Sequence, residues 1–124
     1  MTIRVKRVYD EPSAEDGERI LVDRLWPRGL SREKASITAW MREIAPSDDL
    51  RKWYSHRVEL WDEFRKRYWK ELDSMPEPVG RLIDMSEKGN VTLLFSTKEL
   101  NANNAVALRE YIETKYRRRR PGKR

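Results

Sequence analysis

The sequence predicts a small, single-domain α/β fold, Rossmann-like and layered, with helices flanking a mostly parallel central sheet. A length of 124 residues suits one domain and is too short for two. Two apolar runs, ILVD at residues 20–23 and VTLLFS at residues 91–96, lack the alternation of a half-exposed strand. Such unbroken runs are typical of strands covered on both faces. Because these strands alternate with segments of helical periodicity, they favour a layered α/β architecture.

Apolar patterning, glycine and proline predict the elements of the first half of the chain. In order, these are a strand at residues 3–9, a loop with one helical turn at 11–18, a strand at 20–23, a loop at 24–29, a short helix at 31–35 and a third strand at 37–44. Pro12 and Gly17 interrupt regular pairing in the first loop. Residues 37–44 also fit a helix, because their apolar side chains recur every three or four residues, and we favour the strand.

Four helices and one strand are predicted for the second half. The helices cover residues 47–55, 59–74, 78–89 and 103–116, and the strand covers residues 91–96. Ser47 precedes two acidic residues, so it can cap the first of these helices. The second carries an apolar stripe every four residues, which predicts one buried face. Pro78 suits a first helical turn, and Gly89 suits a left-handed stop.

The formal net charge of +6 lies at the carboxyl end of the chain. Residues 115–124 carry seven basic side chains and no acid, whereas residues 1–114 carry 20 basic and 21 acidic groups. We therefore expect a nearly neutral α/β domain over residues 1–114 and a basic tail over residues 115–124. The tail either contacts nucleic-acid phosphates or is a solvated helix end whose charge suits the helix dipole. Its basic run consists of Arg117, Arg118, Arg119 and Arg120.

Composition excludes several classes of site. The chain has no cysteine and a single histidine, His56, so it has no disulfide, no thiolate nucleophile and no predicted metal site built on sulfur or several imidazoles. No glycine-rich phosphate loop is present, so we predict no dinucleotide cofactor. No signal peptide or apolar span is evident either, and we expect a cytoplasmic protein without a membrane partner.

Candidate ligand-binding residues follow the two central strands. In open α/β sheets, ligands bind outside the carboxyl ends of the strands. Arg24 and Arg28 can form a charged fork for a phosphate or carboxylate, and Lys98 can add a third positive charge. The start of the last helix, near Asn103, can supply amide donors. Asp23 can orient an arginine or act as a base, and the alternative is a loop-bracing ion pair with Arg24 or Arg28.

Two further residues carry alternatives that the sequence leaves open. His56 is the obvious general acid or base, together with Asp23, if the protein is an enzyme. It also lies where a helix is predicted to end, and we favour a role there in capping the last carbonyls. Trp26 can stack on a nucleotide base, although a tryptophan beside a proline is more often a core anchor.

Several segments closely resemble the YeaO-like proteins, a family with a domain of unknown function. They are KRVYD at residues 6–10, DGERILVDRLWPRG at 16–29, IAPSDDLRKWY at 44–54, EFRKRYWKEL at 63–72 and TLLFSTKELNANNAVALREYI at 92–112. The resemblance implies a small Rossmann-like domain and places Asp23, Arg24, Arg28 and Lys98 in shared motifs. It does not imply an activity. Several members carry a histidine in the stretch where this chain has Asn103 and Asn104.

Together these features lead to one functional hypothesis and two alternatives. We expect an anionic ligand, a nucleotide or another phosphorylated small molecule, at the carboxyl ends of the strands. Whether the protein only binds it or acts on it as a hydrolase or transferase stays open, as does the oligomeric state. The alternatives are a nucleic-acid-binding protein that uses the basic tail and the arginine-rich loop, and a non-catalytic interaction module.

Overall fold

A computed structural model describes residues 3–119, with side chains through residue 115. Four strands, β1 to β4, and five helices, α1 to α5, form one α/β layered domain. In chain order they are β1 Ile3–Arg7, β2 Glu18–Leu21, α1 Arg32–Ala35, β3 Ala39–Trp40, α2 Asp48–Tyr54, α3 Trp61–Asp73, α4 Pro76–Lys88, β4 Val91–Phe95 and α5 Asn104–Arg119. The sheet order is β1-β4-β2-β3, and every pair is parallel, as predicted. Within residues 3–119, no helix is long and apolar enough to cross a membrane.

The two central strands, β2 and β4, are covered on both faces. Ile20 and Leu93 face a large core formed with helices α2 to α5. Leu21 and Leu94 face a smaller core, which the segment carrying Trp26 and α1 covers. Because both faces are buried, neither strand alternates between apolar and polar residues, which explains the unbroken runs in the sequence.

The register of β2 against β4 sets the position of the strand ends. Glu18 pairs with Val91, and the same offset brings Asp23 beside Ser96, whose backbone N–H donates to Asp23 Oδ2 at 3.0 Å. At the opposite end of the sheet, the Glu18 N–H donates to the carbonyl of Asn90 at 3.0 Å. Gly17, with φ +64°, lies so close to this carbonyl that a Cβ would be 2.2 Å from the oxygen.

The third strand is much shorter than predicted. β3 has two residues, which pair with β2, and a 3-10 turn at Arg42–Ile44 follows. The turn buries Ile44 completely, and the carbonyl of Ile44 accepts a hydrogen bond from the Tyr68 hydroxyl at 2.7 Å. Ile44 therefore packs into the core from this turn and does not extend strand β3. The turn also explains part of the helical spacing of the apolar residues in 37–44.

The structure confirms the predicted cap at the start of α2 and corrects the predicted stop at the end of α4. Ser47 Oγ accepts from the Leu50 N–H at 3.1 Å and begins α2, as predicted. The prediction of a left-handed Gly89 is wrong, because its φ of 173° is extended. The N–H of Gly89 donates to the carbonyl of Met85 at 3.2 Å, so α4 ends without a left-handed residue, and β4 begins two residues later. The backbone of α5 runs to Arg119, into the predicted tail.

The predicted nucleic-acid contacts of the tail lie outside the described part of the molecule. Side chains are described only through residue 115, so those of Arg117, Arg118 and Arg119 are not included, and Arg120 lies beyond the described backbone. Binding of nucleic acid by these residues stays a prediction.

Candidate functional site

Two adjoining cavities open at the carboxyl ends of the strands. The inner cavity, of about 540 Å³, reaches Asp23, Tyr54, Phe64 and Asn104. The outer cavity, of about 860 Å³, is lined on its far side by Lys98 and Glu99, among others. The residues that line both cavities are Tyr9, Arg28, His56, Ser96 and Thr97. The predicted location outside the strand ends therefore holds a concave surface of ligand size.

Asp23 lies at the floor of the inner cavity and is held by three hydrogen bonds. Its Oδ2 accepts from the Ser96 N–H at 3.0 Å and from the Ser96 hydroxyl at 2.8 Å, and its Oδ1 accepts from Asn104 Nδ2 at 3.1 Å. Burial raises the pKa of this carboxyl, and hydrogen bonds from Ser96 and Asn104 partly oppose the rise. Asp23 forms no ion pair among the described residues, so neither its orientation of an arginine nor the bracing ion pair is seen.

Two arginines at the cavity walls brace the backbone. Arg24 Nε donates to the carbonyl of Pro46 at 3.1 Å, which ties the loop after β2 to the start of α2. Arg7, which sequence reasoning did not select, donates from Nε to Thr97 O and from Nη2 to Ser96 O, both at 2.9 Å. The sequence signal that could have identified it is its position at the carboxyl end of the first strand, β1. These guanidinium groups hold the loops that form the cavities.

Arg28 and Lys98 are exposed, and both line the outer cavity. The loop that carries Arg28 is fixed by buried Pro27, by Gly29 with φ +73°, and by the Tyr9 hydroxyl, which donates to the Arg28 carbonyl at 2.8 Å. Within residues 3–115, neither the Arg28 guanidinium nor the Lys98 ammonium has a hydrogen-bond or ion-pair partner. The two charges are therefore available to an anion.

His56 lies at the junction of the two cavities on a strained backbone. Its φ is 61° and that of Ser55 is 46°, so two successive residues other than glycine are left-handed. Its Nδ1 lies 3.4 Å from Thr97 Oγ1. The predicted capping role is wrong, because the Arg57 guanidinium donates to the carbonyls of Trp53 and Tyr54 instead. The imidazole is thus turned toward the cavities.

Trp26 lines the inner cavity, and its contacts are those of an anchor. Its indole N–H donates to Leu30 O at 2.7 Å, and its ring packs edge to face on Trp40 at 5.5 Å between centroids. The Arg32 guanidinium lies 4.9 Å from the ring centroid. These contacts fix the segment that covers the smaller core, and they leave less of the ring for a stacked base.

Near the start of α5, the amide that lines the inner cavity belongs to Asn104 and not to the predicted Asn103. Asn103 is 3% exposed, accepts from the Val106 N–H at 2.9 Å and donates to Glu99 O at 2.8 Å. It caps α5 and lines neither cavity. The next residue, Asn104, faces the inner cavity and donates to Asp23 and to Val22 O at 3.0 Å. Sequence reasoning selected the amide that caps the helix and missed the one that reaches the site.

Positive charge is concentrated around the two cavities although residues 1–114 are nearly neutral. The basic residues that line them are Arg7, Arg24, Arg28, Arg51, Lys52 and Lys98, and the acidic ones are Asp23 and Glu99. Such a concave lining, in which basic residues outnumber acidic ones, attracts anions. Among the described residues, no group of three histidine or carboxylate side chains could hold a metal ion.

Comparisons with known proteins give one family. A family model described as the inactive DUF488-N3 subclade matches residues 2–124. The uncharacterized protein YeaO of Escherichia coli is 40% identical over 114 residues, which is 92% of this chain and 99% of the relative. An uncharacterized protein of Mycobacterium tuberculosis is 34% identical over 110 residues, 89% of this chain and 92% of the relative. No solved structure matches the chain significantly.

Proposed function

The chain belongs to the inactive DUF488-N3 subclade and to the YeaO-like family, and from this premise we propose that it binds a phosphorylated small molecule or nucleotide without converting it. The observation that carries the proposal is that Arg28 and Lys98 both line the outer cavity and have no hydrogen-bond or ion-pair partner among the described residues. The ligand lies outside the carboxyl ends of the strands, as ligands do in Rossmann-like folds.

The chemistry of the two cations suits a phosphate. An arginine presents a planar fork of donors that matches two phosphate oxygens, and a lysine adds a compact charge. Neither side chain has an ion-pair partner within residues 3–115, so a ligand does not first have to break such a pair. The phosphate is held between them at the mouth of the site.

The state of Asp23 favours binding over catalysis. A carboxylate is a less available general base when protein donors already use most of its acceptor positions, and in Asp23 only one position, on Oδ1, is left. Three protein donors already occupy the Asp23 carboxylate, and two of them lie on one oxygen. Asp23 therefore acts mainly to join the ends of β2 and β4 to α5, which agrees with the description of the subclade as inactive.

The test is a calorimetric titration of the full chain with inorganic phosphate, pyrophosphate and ribose 5-phosphate. We expect binding to at least one of them, weakened about tenfold by Arg28→Ala and by Lys98→Ala, which corresponds to about 1.4 kcal/mol. Lys66→Ala is the matched control, because Lys66 is exposed on α3 and lines neither cavity. It should leave the affinity unchanged.

Three results would overturn the proposal. One is the absence of binding to all three anions, and another is an equal loss of affinity in the Lys66 control. The third is binding to a short oligonucleotide alone with no effect of Arg28→Ala, which would move the function to the basic tail. Turnover of a bound phosphate ester would keep the site but reject the non-catalytic assignment.

A pair of glycine variants tests whether His56 contacts the ligand. Left-handed backbone costs a non-glycine residue about 1–2 kcal/mol, and the greater unfolded-state freedom of glycine offsets about half of that. We therefore expect Ser55→Gly and His56→Gly each to raise the free energy of unfolding by about 0.5 kcal/mol. Only His56→Gly should weaken phosphate binding. Urea unfolding and the same titration measure both quantities, and equal affinities in the two variants would contradict a ligand contact by His56.

A further inference from the structure

The inner cavity is larger and more apolar than a phosphate requires. Leu25, Trp26 and Pro27 form part of its wall, and Tyr54 and Phe64 form another part, with their rings stacked at 4.4 Å between centroids. Leu25 is 56% exposed although it is large and apolar. A volume of about 540 Å³ lies within the range of pockets that enclose organic ligands.

Protein groups already occupy the other basic residues of the inner cavity. Arg24 donates to the carbonyl of Pro46. Arg51 lies 2.9 Å from Asp48, and Lys52 lies 3.8 Å from the same carboxylate. The two unpaired cations lie at the outer cavity. Of the two cations without a partner, Arg28 lines both cavities and Lys98 lines only the outer one, whereas the aromatic residues Trp26, Tyr54 and Phe64 line only the inner one.

One polar group at the inner end is suited to accept a hydrogen bond from a ligand. An ionised carboxylate has about four acceptor positions, and Asp23 uses three of them for Ser96 and Asn104. The unused position is on Oδ1, which accepts a single protein donor. Asp23 lines the inner cavity and not the outer one, so this acceptor belongs to the same cavity as Trp26, Tyr54 and Phe64.

We infer that the ligand is an amphipathic anion whose planar ring, bearing an N–H or O–H donor, lies in the inner cavity while its phosphate lies between Arg28 and Lys98. This inference rests on the proposed function and deepens it. Nucleoside monophosphates are the class of compound with this order of groups: a ring with hydrogen-bond donors at one end and a phosphate at the other. Tyr9 and His56, which line both cavities, lie beside the sugar.

The test compares nucleoside 5′-monophosphates carrying adenine, guanine, cytosine and uracil with ribose 5-phosphate, by calorimetry on the full chain. We expect at least one nucleotide to bind tenfold or more tightly than ribose 5-phosphate. Leu25→Trp enlarges a side chain of the inner cavity wall and should abolish this gain, which is measured as the ratio of the nucleotide affinity to the ribose 5-phosphate affinity of the same variant. Leu100→Trp is the matched control, because Leu100 is 60% exposed and lines neither cavity.

The outcomes separate this inference from the proposed function. If ribose 5-phosphate binds in a manner that depends on Arg28 and no base improves it, the ring site is rejected and phosphate binding stands. If the gain from the base survives Leu25→Trp, or is lost equally in Leu100→Trp, the ring does not lie in the inner cavity. If no phosphate compound binds through Arg28, both proposals fall together.

Discussion

Replacing Gly17 with alanine is expected to lower the free energy of unfolding by about 3 kcal/mol, which combines left-handed strain with overpacking. Its φ of +64° disfavours any side chain, and a Cβ would lie 2.2 Å from the carbonyl oxygen of Asn90. That oxygen belongs to backbone and accepts from the Glu18 N–H, so it cannot move without breaking the first pairing of β2 with β4.

Gly29→Ala is the matched control for this prediction. Gly29 has a similar φ of +73°, but nothing lies within 4 Å of the position that a Cβ would take. It should therefore cost only the conformational strain, about 1 kcal/mol. Urea unfolding of the two variants measures the difference, and equal losses would show that the contact with Asn90 does not matter.

The Gly17 contact also bears on the functional site. The offset between Glu18 and Val91 is the same as that between Asp23 and Ser96, at the far end of the same two strands. A shift of one residue at Gly17 would separate the Asp23 carboxylate from the Ser96 N–H. The glycine thus helps to position the floor of the inner cavity from the opposite edge of the sheet.

Features that follow from local patterning were predictable from the sequence. The runs at β2 and β4 indicate burial on both faces, and the structure buries both strands. Ser47 with the acids after it indicates a helix start, because capping depends on only a few neighbouring residues. The end of the sheet at which ligands bind follows from parallel topology, since the carboxyl ends of parallel strands meet at one edge.

Choices between adjacent residues were not predictable. A shift of the start of α5 by one residue decides whether Asn103 or Asn104 reaches Asp23. Sequence periodicity does not locate the start of a helix to a single residue. Likewise, because the backbone of His56 is left-handed, the Arg57 guanidinium and not the imidazole donates to the last carbonyls of α2. Both outcomes depend on the packing of α2 and α5 against the sheet, which brings together residues far apart in the chain.

The partners of Asp23 show the same limit. Arg24 and Arg28 are close to it in sequence, and local reasoning therefore favours an ion pair with one of them. The strand register instead supplies Ser96, 73 positions away, and Asn104, 81 positions away. Long-range pairing in the sheet therefore determines the hydrogen bonds of the carboxylate.

The second large effect is expected for Asp16→Asn at the opposite edge of the sheet. Asp16 is 2% exposed, and its Oδ2 accepts from Arg19 at 2.6 Å and from Lys6 at 2.9 Å. Removing one partner from a buried ion pair costs about 3–5 kcal/mol, because the remaining charge stays buried. Arg19 also donates to the carbonyls of Ala35 and Ser36, so it connects this loss to the end of α1.

The pH dependence identifies the charge as the cause. Burial opposes ionisation of Asp16, but hydrogen bonds from Lys6, Ser13 and Arg19 outweigh it and hold the pKa below its usual value of 3.8. The unfolded chain therefore takes up the proton first as the pH falls. The stabilisation is complete well above pH 3.8 and is lost as the pH falls through the folded pKa.

Thermal unfolding of the wild-type and Asp16→Asn proteins from neutral to acidic pH tests this. The gap in Tm should be largest near neutrality. It should begin to narrow below about pH 4, where the unfolded chain takes up the proton, and close as the pH falls through the lower pKa of the folded wild-type carboxylate. Asp48→Asn is the matched control, because Asp48 pairs with Arg51 and Lys52 on an exposed surface and should change Tm little at any pH. A gap of constant size in acid would mean that the shape of the side chain, and not its charge, stabilises this end of the sheet.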